Sequence, residues 1–126
     1  MNLGDTFVNI AVGQFRSHLW AVVSHPDGAN RVVIVNVSSD DDGLGDLETL
    51  KPPELPWLSH NSFIRTDMAL LSPITAIQAA LTSNPPAVTA KGPLAAATLT
   101  KLQRALGKSK HTALEIKRLL REQGFI

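Results

Sequence analysis

Seven side chains are of types suited to moving protons and holding anions: His18, His60, Ser38, Ser39, Ser62, Arg16 and Arg65. Imidazole titrates near neutrality, so it can take a proton in one step and return it in the next. Serine hydroxyls donate to developing negative charge, and a guanidinium grips an anion with a rigid fork of donors. Spacing brings some of these groups together. His18 lies near the start, and Ser38-Ser39 the end, of a stretch from 17 to 39 whose two runs of β-branched and aromatic residues flank His25-Pro26-Asp27-Gly28-Ala29-Asn30. Those turn-forming residues predict a long β-hairpin. Antiparallel pairing then sets His18 at the same sheet edge as Ser38 and Ser39.

The hairpin is predicted to lie in the middle of a sheet. Side chains alternate faces along a strand, so Leu19, Ala21 and Val23 point one way and His18, Trp20, Val22 and Ser24 the other. On the return strand Val33, Val35 and Val37 oppose Val32, Ile34 and Asn36, leaving both strands apolar on nearly both faces.

Around the hairpin, Thr6 to Val12 reads as a first strand and Gly13 to Arg16 as a short connection. The acidic, Gly-containing run from Ser38 to Asp46 reads as an exposed loop; its three adjacent Asp residues lack the alternating spacing and closing Glu of a calcium loop. Leu47 to Leu50 is a candidate short strand, which Pro52, Pro53 and Pro56 prevent from continuing. Trp57-Leu58 is expected to plug one end of the sheet with apolar area. Polar residues from Ser59 lead into a strand, and Met68 to Ser72 forms a further short one. Pro73 changes the pattern. Ile74, Ile77 and Leu81 recur at helical spacing with Ser72 as N-cap, Pro85-Pro86 stops that helix, and a polar link follows. Leu94 to Leu106 forms the next helix, capped by Gly107. Thr112-Ala113-Leu114-Glu115 has the form of a capping box and opens a last helix ending at Gly124. Five or six short strands followed by two to three helices predict a single α+β domain over 1–126. Residues 1–72 form a small, curved antiparallel SH3-like barrel and 73–126 a helical extension packed on one side or end.

Composition narrows the function classes. There is no cysteine, which removes disulfides and thiolate metal sites. No leader pattern or span of about 20 apolar residues is present, so a cytoplasmic protein without membrane contact is expected. Residues 1 to 90 carry four bases against nine acids, a net −5, whereas 91 to 126 carry eight bases against two acids, a net +6. Such a basic end fits a solvated helix face, nucleic acid or an acidic partner. No Gly-x-Ser-x-Gly elbow or Gly-rich phosphate loop occurs, and neither a cofactor nor a metal is expected. His25, in the turn, and His111, before Thr112, are assigned structural or solvated roles.

Gly4-Asp5 before the first strand, Val22-Val23-Ser24 ending the second and the serine pair 38–39 ending the third together resemble the PemK/MazF toxins of toxin–antitoxin systems over about residues 4 to 72. The runs His18 to Ser24 and His60 to Ile64 resemble patterns of divergent members. The usual Arg-Pro before the second strand is replaced by Ser17-His18-Leu19-Trp20, with Arg16 just upstream. The resemblance implies a metal-independent endoribonuclease on an SH3-like barrel, commonly a homodimer, held inactive by a cognate antitoxin protein. It also brings His60 and Ser62 to the edge that His18, Ser38 and Ser39 share, with Arg16 or Arg65 on the RNA phosphate.

Two other classes compete with the nuclease. Leu102 to Leu120 mimics a DNA-binding helix-turn-helix, although Gln103 and Lys108 then fall where small and apolar residues belong. A protein-interaction module on the barrel is the third class, but Tyr is absent and aromatic residues are few for a proline-rich ligand.

Overall fold

A computed structural model describes residues 1–9 and 18–126 of the chain. The predicted end of the first strand, the connection at 13–16 and Arg16 lie outside the described residues. The fold is α+β, and the described residues form a curled antiparallel six-stranded sheet with three α-helices. Its strands are β1 (Thr6–Asn9), β2 (Leu19–Val22), β3 (Arg31–Ser38), β4 (Thr49–Leu50), β5 (Ser62–Pro73) and β6 (Val88–Ala90), in the spatial order β4-β5-β3-β2-β1-β6. The helices are α1 (Ile74–Thr82), α2 (Ala96–Lys108) and α3 (Leu114–Glu122). None of the described helices is long and apolar enough to cross a membrane.

The hairpin is central, and its alternation divides the core in two. Leu19, Ala21, Val23, Val33, Val35 and Val37 pack with Leu102, Leu106, Ile116 and Leu120 of α2 and α3. Val22, Val32 and Ile34 pack with Phe7 and with Ile74 and Ile77 of α1. Helices therefore cover both faces of the sheet rather than one side or end, because strands apolar on both faces must be sealed on both. Each fully buried Val, Leu or Ile contributes roughly 1.5–3 kcal/mol.

Several local expectations are corrected by longer-range contacts. Phe63 and Met68 belong to one strand, β5, because both ends pair with β3. Between Ile34↔Leu70 and Asn36↔Arg65 the register shifts, so Thr66 to Ala69 bulge opposite Val35 alone. Val88-Thr89-Ala90, read as a polar link, forms β6 by pairing with β1. Pro73, not Ser72, is the N-cap of α1. Gly107 lies inside α2 rather than capping it, and a Cβ there would stand 3.0 Å from the Ile126 side chain. Ala113 is the N-cap of α3, and Thr112 Oγ1 is buried with no hydrogen-bond partner among the described residues instead of closing a capping box.

The acidic loop folds on itself. Asp41 accepts from the amides of Gly43 and Gly45, Asp40 accepts from that of Asp42, and positive φ at Asp42, Gly43 and Gly45 closes the turns. Its ties to the body include Asp42 paired with Arg65 at 2.8 Å, the Asp40 carbonyl accepting from Arg65 at 3.0 Å, and Asp46 Oδ1 at 2.9 Å from His111 Nε2.

Candidate active site

At the edge of the hairpin opposite its turn, Val8, Leu19 and Val37 stand side by side on β1, β2 and β3, through the pairs Val8↔Leu19 and Leu19↔Val37. They form the apolar floor of a cavity of about 200 Å³. Its walls are His18, Ser38, Ser39, Trp57, Leu58, His60 and Ser62. Five of the seven candidate residues thus meet around one space.

Each wall residue has a local reason for its position. Leu19 opposes Val37, so continuing the same register by one residue sets His18 opposite Ser38. The backbone of His18 is fixed by β1: its amide donates to Asn9 Oδ1 at 2.8 Å, and its carbonyl accepts from the Asn9 amide at 3.2 Å. Ser38 is buried, and its Oγ accepts from the Asp40 amide at 3.2 Å as the chain leaves β3. Ser62 opens β5 opposite Leu50 and is also buried; its Oγ donates weakly to the carbonyl of His60, at 3.4 Å. His60 is exposed, with Nδ1 3.1 Å from Ser59 Oγ.

The segment carrying Trp57 and His60 is anchored from behind. A 3₁₀ turn over Pro52–Glu54 precedes it. The Glu54 carboxylate accepts from the Lys51 amide at 3.0 Å and pairs with Lys101 of α2 at 2.9 Å, while Thr98 Oγ1 donates to the Glu54 carbonyl at 2.7 Å. The Lys51 amide and then Lys101 hold the Glu54 carboxyl below its usual pKa.

Trp57 does not plug the sheet. It is 39% exposed, lines the cavity, and lies so close to Gly92 that a Cβ there would stand 3.0 Å from the indole ring. Sequence reasoning missed Trp57 and Leu58 as site residues. The available signal was a tryptophan among prolines, where no regular element could carry it inward.

Arg65 is not among the residues lining the cavity. It is 4% exposed, and its guanidinium donates to both carboxylate oxygens of Asp67, at 2.9 and 2.7 Å, to Asp42 at 2.8 Å and to the Asp40 carbonyl at 3.0 Å. The Asp67 bond, followed by Asp42, holds Arg65 above its usual pKa despite burial. Arg16 lies outside the described residues. His25 stacks obliquely on Phe125, with ring centroids 5.5 Å apart, and His111 faces Asp46.

The cavity offers two imidazoles, three hydroxyls and an exposed indole above an apolar floor. Such a set can transfer protons and donate to an anion beside a flat, stackable group. Compared with family models, with curated proteins and with solved structures, the chain matches none.

Proposed function

We propose that this chain is a metal-independent endoribonuclease of the PemK/MazF toxin type, cutting single-stranded RNA at the cavity of His18 and His60. The observation that carries the reading is the convergence of both histidines with Ser38, Ser39 and Ser62 on one small cavity. One imidazole takes the proton of the ribose 2′-hydroxyl as its oxygen attacks phosphorus. The other protonates the departing 5′-oxygen, so the O2′–P bond forms as the P–O5′ bond breaks. The products are a 2′,3′-cyclic phosphate and a 5′-hydroxyl. The serine hydroxyls donate to the charged phosphorane, and Trp57 stacks a neighbouring base. With Nδ1 of His60 beside Ser59, Nε2 is its nitrogen for proton transfer. Arg16 serves as the cation on the phosphate, a role for which Arg65 is already committed to Asp67 and Asp42.

The same reading carries an SH3-like barrel as the type of the curled sheet, a cytoplasmic location, a cognate antitoxin protein as inhibitor and a homodimer as a further partner state. Incubating the purified protein with mixed RNA in excess EDTA tests the activity. Fragments ending in cyclic phosphate are expected, and intact RNA would sink the proposal.

A further inference from the structure

The groove between α2 and the end of α3, lined by Arg104, Gly107, Lys108, Arg121, Phe125 and Ile126, has a volume of about 540 Å³, larger than the candidate active site. Arg104 and Lys108 are one helical turn apart on α2, and α3 adds Arg121 to the same wall. Like charges at that spacing repel. Among the described residues no carboxylate lies within ion-pairing distance of any of the three, although Lys101 is paired with Glu54 and Lys110 with Asp46. The other wall is apolar. Ile126 fits closely over α2 because residue 107 has no side chain, and Phe125, half-buried against the core and beside His25, turns part of its ring to the groove.

We infer that this groove is a second binding site for single-stranded RNA, with Arg104, Lys108 and Arg121 on its phosphates and Phe125 against a base. Three cations that form no ion pair among the described residues, two of them sharing a neighbouring crevice with Glu48, stand beside an aromatic side chain and match a polymer that alternates phosphates with flat bases. An acidic peptide would use the charge but not the ring. The inference rests on the reading of RNA as substrate. Phe125 meets His25 at the turn end of the hairpin, whereas the catalytic cavity lies at the other end, roughly 20 Å away at about 3.3 Å per residue. A strand held at both places therefore spans several nucleotides, and the groove favours long RNA over short.

The test uses the full chain and a fluorescein-labelled 2′-O-methyl oligouridylate, which lacks the attacking hydroxyl and cannot be cut. Binding is followed by anisotropy between about 50 and 200 mM salt. Replacing Arg104→Gln, Lys108→Gln and Arg121→Gln together is expected to flatten the slope of log affinity against log salt by about 2, at about 0.7 per phosphate contact. Arg118→Gln, on the crevice that also holds Asp27, Glu115 and Glu122, is the control and should leave the slope nearly unchanged. No binding by the parent, an unchanged slope in the triple variant, or an equal change in the control overturns the inference. Tighter binding of polyglutamate or duplex DNA than of the probe also overturns it, giving the groove to an acidic protein or to DNA. A parent that binds the probe steeply but cuts no unmodified RNA removes the nuclease reading and leaves the groove. A parent that cuts RNA while the triple variant keeps its slope does the reverse.

Discussion

Gln103 Nε2 donates to the carbonyl oxygen of Val23 at 3.1 Å, joining the middle of α2 to the chain just beyond β2 in a buried bond. The residue that a helix-turn-helix would require to be small is instead the polar tie between helix and sheet. Gln103→Met keeps much of the volume and removes the donor, leaving the Val23 carbonyl unpaired. Stability is expected to fall by about 1–3 kcal/mol, read as a lower midpoint in urea with the m-value unchanged.

Thr112 gives the opposite sign. Its hydroxyl is buried without a partner among the described residues, so Thr112→Val removes an unsatisfied polar atom at nearly constant shape. The variant is expected to be more stable by about 1 kcal/mol, raising the thermal midpoint by a few degrees. A lower midpoint would restore a capping role to the hydroxyl.

Arg65→Met strands Asp67 and frees the acidic loop at Asp42. Breaking a fully buried ion pair costs about 3–5 kcal/mol, and because Asp42 and Asp67 keep some water the loss expected here is nearer 2. Arg65 holds the Asp67 carboxyl below its usual pKa, first through their hydrogen bond, against the effect of burial. A lowered folded pKa stabilises above the unfolded carboxylate's value near 4, and that stabilisation fades as pH falls through the folded value. The advantage of parent over variant should therefore be full at pH 7 and shrink steadily below about 4, as measured by urea melts across that range.

His18→Ala and His60→Ala are each expected to slow RNA cleavage at least about a hundredfold, the scale of a lost proton-transfer group. Because His60 is exposed and His18 half-buried, their thermal midpoints should stay within a few degrees of the parent. Cleavage at parental rate in both variants would remove the histidines from the mechanism.

The parts legible in the sequence are those set by local alternation. Leu19, Ala21, Val23, Val33, Val35 and Val37 fall on one face and Val22, Val32 and Ile34 on the other because a strand has period two whatever surrounds it. The place of His18 beside Ser38 followed from the same pairing. The presence of His60 and Ser62 at the cavity did not, since it depends on β5 pairing with β3 and β4 across long separations. Val88 to Ala90 became a strand only because β1 offered an open edge. Gly107 resembled a helix stop, yet what decides its place is contact with Ile126, nineteen positions away in the sequence. Arg65 looked like a phosphate ligand by type, but a bulge and an acidic loop put three oxygen-bearing partners around it first.

From Val32 to Val37, β3 is buried on both sides, and this bears on how a newly made chain finds its alignment. Sliding the strand by one position would trade valines for valines and an isoleucine, with little loss of burial to report the mistake. Asn36 marks the register only weakly, because its amide is already fully buried, with Oδ1 unpartnered among the described residues and Nδ2 3.7 Å from Met68 Sδ. The firmer reference mark is the turn, where the Asp27 carboxylate accepts from the amides of Ala29 and Arg31 at 3.0 and 2.8 Å and so counts out the loop. Proofreading of the hairpin is thereby delegated chiefly to one carboxylate.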